Sequence, residues 1–152
     1  MIEKFYIVCL VSALSFSAIA AKQCKIIKST VYDTFTAIDT ARVDLEAYQA
    51  IITDDSTFKF GNWPASEGRE AIRKAQKDFF TTVNGMSHKL HRIWIDECNV
   101  AVEGVVTYTT KDNKQVPIPF VDTFIYNSDD KVRVVNIYID ISPLERHSSG
   151  DR

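Results

Sequence analysis

The stretch from Pro117 to Tyr126, PIPFVDTFIY, constrains this chain more than any other. At strand periodicity successive side chains fall on opposite faces. Ile118, Phe120, Asp122, Phe124 and Tyr126 then share one face, and Pro117, Pro119, Val121, Thr123 and Ile125 the other. The aromatic row is the one a fold has to bury, and Asp122 stands in its middle. A carboxylate among apolar neighbours is costly, which leaves three solutions for Asp122. It reaches solvent through a different register, it pairs with Arg92, a histidine or a backbone group, or it is protonated with a raised pKa.

The neighbouring segments can be phased against this strand. Four strands are predicted, about 88–96, 100–109, 116–126 and 131–141, joined by short turns such as Lys111-Asp112-Asn113-Lys114 and Asn127-Ser128-Asp129-Asp130. Connections this short make antiparallel neighbours. In the second strand Val100, Val102, Gly104, Val106 and Tyr108 form the inner row, and in the last Val135, Ile137 and Ile139 do. The first is ambiguous. His88, Leu90, Arg92 and Trp94 alternate with Lys89, His91, Ile93 and Ile95, and neither row is apolar throughout, so a bulge is expected there with His88 or His91 facing inward, His88 being favoured because it starts the strand beside the third helix.

Before the strands the periodicity is helical. Ile27, Val31, Phe35 and Ile38 recur every three or four positions and the helix falters near Asp39-Thr40. Asp44 can cap a second helix bearing Leu45, Tyr48, Ile51 and Ile52, which ends at Thr53-Asp54-Asp55. Ser56 to Phe60 reads as a short strand, and Gly61-Asn62-Trp63-Pro64 as a turn. A third helix opens at Gly68-Arg69 with Ile72, Ala75, Phe79 and Val83 as its buried stripe and Asn84-Gly85 as its stop. Helices first and a meander afterwards predict an α+β fold: three N-terminal helices on a curved, mainly antiparallel mixed sheet, forming a cone with an internal pocket.

The first twenty residues differ from the rest. Lys4 is followed by an uncharged run closing on Ala18-Ile19-Ala20, the parts of a secretory signal cleaved after Ala20. The domain plan is therefore a signal peptide at 1–20, a lead-in at 21–29, one domain at 30–144 and a polar, disordered tail at 145–152. The expected location is secreted or periplasmic, with no stable membrane insertion after cleavage. Cleavage removes Cys9 and leaves Cys24 and Cys98, which form a disulfide or remain two unrelated thiols. A net charge of −2, with 25% charged residues and no block of like charges, gives no electrostatic reason for nucleic-acid binding. No metal or other cofactor is expected, since three scattered histidines and two cysteines lack ligand spacing.

Laid out in this order, residues 30 to 141 resemble the SnoaL-like proteins of the nuclear transport factor 2-like superfamily. The signals are Arg42-Val43-Asp44-Leu45-Glu46-Ala47 running into Thr53-Asp54-Asp55, then Gly68-Arg69-Glu70-Ala71-Ile72, then Val102-Glu103-Gly104. Phe120-Val121-Asp122, Asp130-Lys131-Val132 and Tyr138-Ile139-Asp140 complete the set. The resemblance implies a cone with an apolar pocket between helix and sheet, commonly dimeric through the outer sheet face, where Tyr138 and Asp140 fall. Asp122 falls on the aspartic acid that ketosteroid isomerases hold neutral in an apolar site, the example by which that behaviour is known. The isomerase base maps to Phe60, however, and its first-helix tyrosine to Phe35 or Thr36. The Arg and two Asp of limonene epoxide hydrolases correspond to Gly104, Val106 and Ile137.

What the sequence supports is a small apolar ligand in a pocket lined by Phe35, Trp63, Val106, Tyr108, Phe124 and Ile137, with Asp122 as hydrogen-bond donor and His88 as candidate base. Acid/base chemistry of the isomerase, cyclase or dehydratase type is one expectation. A non-catalytic interaction or dimerisation module is the other.

Overall fold

A computed structural model describes residues 23–149. The proposed signal segment, 1–20, lies outside the described residues. Helices α1 (Lys28–Thr40), α2 (Leu45–Ile51) and α3 (Arg69–Phe80) precede most of the sheet, and α4 (Ser142–Ser149) follows it. The strands are β1 (Ile52–Phe60), β2 (Ser66–Glu67), β3 (Val83–Asp96), β4 (Asn99–Thr110), β5 (Gln115–Tyr126) and β6 (Val132–Ile139). They form one sheet in the order β2-β1-β6-β5-β4-β3. Only β1 and β6 pair in parallel; the other neighbours are antiparallel. The architecture is the expected α+β cone; the described residues add a fourth helix, α4, and the short strand β2 to the elements read from sequence.

The helices form where their local chemistry closes them. On α1, Val31 and Phe35 are buried, and Thr34, Thr36 and Thr40 return their hydroxyls to carbonyls one turn back. The Asp44 carboxylate accepts from the Ala47 N–H at 3.0 Å and caps α2. Helix α3 starts after Gly68, whose φ of 83° is open to glycine and strained for any residue with a Cβ. Arg69 then ties the helix to its surroundings, donating to Asp54 at 2.7 Å, to the Ile52 carbonyl at 2.9 Å and to the Gln49 carbonyl.

Three boundaries differ from the sequence reading. Val83 is wholly buried, but it opens β3 opposite Thr110 instead of ending a helical stripe. Helix α3 stops at Phe80, where Thr81 and Thr82 turn their hydroxyls back onto Asp78 and Phe79, so Asn84-Gly85 lies within the strand. β1 begins already at Ile52, and the Ser56 hydroxyl fills the irregular register between Ile52 and Thr57 by donating to the Val132 carbonyl. At the other end, the polar segment read as disordered from Glu145 is helical through Ser149, anchored by buried Leu144.

β3 carries the expected bulge, between Leu90 and Arg92. One extra residue, His91, switches the facing: Met86, His88 and Leu90 are shielded before it, and Ile93 and Ile95 after it. That switch explains why neither row of the strand is apolar throughout. Gly104 sits opposite Leu90, and a Cβ there would lie 2.4 Å from the Lys89 carbonyl and 2.9 Å from the Phe120 ring. Cys24 and Cys98 are joined by a disulfide with their Cα atoms 5.5 Å apart, beside the Ile26 N–H to Glu97 carbonyl bond of 2.9 Å. The lead-in is thereby fastened to the β3–β4 turn.

Candidate active site

The inner face of the sheet and the helices enclose a cavity of about 90 Å³. Its walls are mostly rings: Phe58, Phe60, Phe79, Phe80 and Tyr108, with Trp63 half exposed where the cavity meets solvent. Phe60 lies 5.2 Å from the Trp63 ring and 5.6 Å from that of Phe79. Into this apolar lining project a few polar groups, contributed by different elements.

The first is His88, on β3. Its Nδ1 lies 2.5 Å from Asp39 Oδ1 on α1, while its backbone N–H donates to the other Asp39 oxygen at 3.0 Å. One carboxylate thus holds both the ring and the strand that carries it. The ring is packed edge-on against Phe35 and Phe120, each 5.1 Å away, and its side chain is 7% exposed. With Asp39 accepting from Nδ1–H, Nε2 is the ring nitrogen left to exchange a proton with a ligand.

The second is Asp122, in the middle of β5 between Val102 on β4 and Ile137 on β6. It is 2% exposed, lines the cavity, and its Oδ1 has no hydrogen-bond partner among the described residues. Burial alone pushes its pKa well above the usual carboxylate range. Of the three solutions open from sequence, two are not seen among the described residues: Asp122 does not reach solvent, and Arg92 pairs instead with Glu103 at 3.2 Å and His88 with Asp39. Tyr48 and Tyr108 also line the cavity. Burial raises the pKa of both hydroxyls, with a further contribution from the Asp122 charge, so both are neutral donors.

The third is an amide pair. Gln49 on α2 donates through Nε2 to Oε1 of Gln76 on α3 at 3.2 Å. Both residues are buried, and Gln76 lines the cavity. Among the described residues no cluster of three or more His, Cys, Asp or Glu could hold a metal ion, and no helix is long and apolar enough to cross a membrane.

Of the residues singled out from sequence, Asp122, His88, Trp63, Val106, Tyr108 and Ile137 line the cavity. Phe35 and Phe124 do not. They are 3% and 1% exposed and pack on each other at 5.6 Å behind the lining, because Phe35 is turned toward His88 and Phe120. Asp39, Tyr48 and Gln76 were missed as site residues. Asp39 lies one helical turn beyond Phe35, on the same face, and that spacing was the available signal. The positions matching the epoxide hydrolase set hold no polar group, and at Gly104 the Phe120 ring leaves no room for one.

The fold and its lined cavity define a class: small cone-shaped α+β domains built around an interior pocket. Residues 31–135 match the SnoaL-like domain family, and the chain belongs to it. A search of curated proteins finds no match. Among solved structures, an NTF2-like protein of unknown function from Burkholderia pseudomallei superposes with a TM-score of 0.68 at 14% identity, over 78% of this chain and 93% of that one. An LEH-like epoxide hydrolase from M. tuberculosis gives 0.64 at 18% identity, over 78% and 85%. A protein with a ketosteroid isomerase-like fold from Catenulispora acidiphila, in complex with trimethylamine, gives 0.67 at 15% identity, over 82% and 95%. At these identities the likeness concerns the fold.

Proposed function

We propose that this domain binds a small, mostly apolar molecule carrying an oxygen function and moves a proton on it. His88 Nε2 is the base, oriented by Asp39, and neutral Asp122 donates a hydrogen bond to the oxygen on which charge develops. The observation that carries this reading is the 2.5 Å contact between His88 Nδ1 and Asp39 Oδ1 at a cavity that also holds the unpaired Asp122. Removal of a proton beside a carbonyl is common to isomerase, cyclase and dehydratase chemistry, and the proposal commits to that step.

The test is hydrogen–deuterium exchange of the protons beside the carbonyl of hexan-2-one in heavy water. Wild-type protein accelerates the exchange, His88→Ala loses the acceleration, and Asp122→Leu reduces it at least tenfold. Exchange no faster than in buffer, with binding intact, favours the second reading, a binding module without catalysis. That reading is supported by Phe60, an aromatic core residue where relatives of the isomerase type have their base.

We further propose export with cleavage after Ala20, consistent with the Cys24–Cys98 bridge, and a homodimer through the outer sheet face. Trp94, Val121, Ile125 and Tyr138 are exposed on described strands there. N-terminal sequencing of the exported protein and sedimentation equilibrium check these two statements.

A further inference from the structure

The proposed chemistry uses the sheet side of the cavity. It makes no use of Gln76, a polar residue on the opposite, helical wall. Gln76 is 8% exposed and lines the cavity, and its side chain is held by a partner that is itself buried. Gln49 Nε2 donates to Gln76 Oε1, which occupies the acceptor end of the Gln76 amide. What remains is the Nε2 donor pair, and among the described residues it donates to no partner. The arrangement is costly as it stands: Gln49 is 2% exposed, and its Oε1 is buried without a partner. Two leucines would fill this space without leaving polar groups unsatisfied. The cavity is therefore lined by an amide on α3 whose donor end is not taken by Gln49, and by Asp122 on β5.

We infer that Gln76 is a specificity-determining residue, donating from the helical wall to a second oxygen of the ligand, so that the preferred ligand is a slim apolar molecule with two acceptor oxygens. The inference rests on the binding reading above and adds to it the number and placement of the ligand's polar atoms. Gln49 acts as a positioning residue: by taking the Gln76 oxygen it decides which end of the amide meets the ligand. A molecule with one oxygen satisfies the sheet wall and leaves the Gln76 N–H groups unmet. One with two satisfies both walls.

The experiment compares hexane-2,5-dione with hexan-2-one, titrated against the folded full domain and followed by amide chemical shifts. Wild-type protein is expected to bind the dione about 3- to 10-fold more tightly, the range for one neutral hydrogen bond. Gln76→Leu removes that preference, read as the ratio of the two affinities within the variant. Gln76→Met keeps the length of the side chain and lacks any donor, and it too loses the preference. It decides the matter if the leucine variant does not fold. Equal affinity for the two ketones in wild-type protein, or a preference that survives in the methionine variant, overturns the role of Gln76 while leaving the binding reading intact. If neither ketone binds wild-type protein, the binding reading fails and this inference with it.

Discussion

Asp39 and His88 are 49 residues apart in the chain, and their side chains meet at 2.5 Å, with a second bond of 3.0 Å from the His88 backbone to the same carboxylate. The contact fastens α1 to β3 and sets the orientation of the imidazole at the cavity. Structure and proposed chemistry thus share one carboxylate.

Removing that carboxylate separates the two roles. Asp39→Ala should lower stability by about 1 to 3 kcal/mol, as expected for a hydrogen-bond pair involving a charged group. It should also let the His88 ring change tautomer, visible in the nitrogen shifts of the imidazole. Unchanged ring shifts with lowered stability would mean that Asp39 fastens the helix and does not orient the base.

Asp122 makes stability depend on pH with a definite sign. Its pKa is raised in the folded state, so the folded chain holds a proton that the unfolded chain releases above about pH 4. The stability that goes with this group is fully present below that pH and is lost as pH rises through the folded pKa. Asp122→Asn, which cannot ionise, should therefore raise the urea midpoint at pH 7, and the difference from wild type should shrink toward zero as pH falls to about 4. A difference independent of pH would mean that the Asp122 pKa is the same in the folded and unfolded chains, and an Asn variant less stable than wild type at pH 7 would mean that Asp122 has a charge partner.

Trp63 and Trp94 report on different surfaces. Trp63 stands at the cavity with its ring against Phe60, whereas Trp94 is on the outer sheet face. Quenching of tryptophan fluorescence by a bound ketone should disappear in Trp63→Phe and persist in Trp94→Phe. The opposite result would move the binding site to the outer face.

Gly104 is fixed by sterics. A Cβ at this position would sit 2.4 Å from the Lys89 carbonyl and 2.9 Å from Phe120, both parts of the wall beside His88. Gly104→Ala should cost about 1 to 3 kcal/mol by overpacking and should perturb the His88 ring resonances, which thermal melts and histidine spectra can follow. A neutral substitution would show that β3 can shift freely at its bulge.

The Cys24–Cys98 bridge closes a separation of 74 residues. The double variant Cys24→Ser, Cys98→Ser should lose about 4 kcal/mol on the chain-entropy estimate. Reductant should lower the melting temperature of the wild type to that of the variant and leave the variant unmoved.

The strands and their buried faces could be read from the chain because alternation is a local property. Val100 to Tyr108, Ile118 to Tyr126 and Val135 to Ile139 present their apolar rows inward as their spacing requires. The same locality exposed Asp122, a carboxylate out of place among its own neighbours. Boundaries set by several weak signals were less legible. Val83 continues the helical period in sequence, yet the hydroxyls of Thr81 and Thr82 end α3 first, and pairing with Thr110 claims Val83 for the sheet.

The sequence by itself determined the layers, the inward row of each regular strand and the one carboxylate that had to be accommodated inside. Only the tertiary structure decided which groups that carboxylate would keep company with. Asp39 reaches His88 because α1 lies across β3, and Gln49 meets Gln76 because α2 and α3 pack side by side. Such contacts depend on crossing angles and on a single bulged residue between Leu90 and Arg92. Neither leaves a periodic trace in the chain, since periodicity reports which side of an element is buried and carries no information about the element it is buried against.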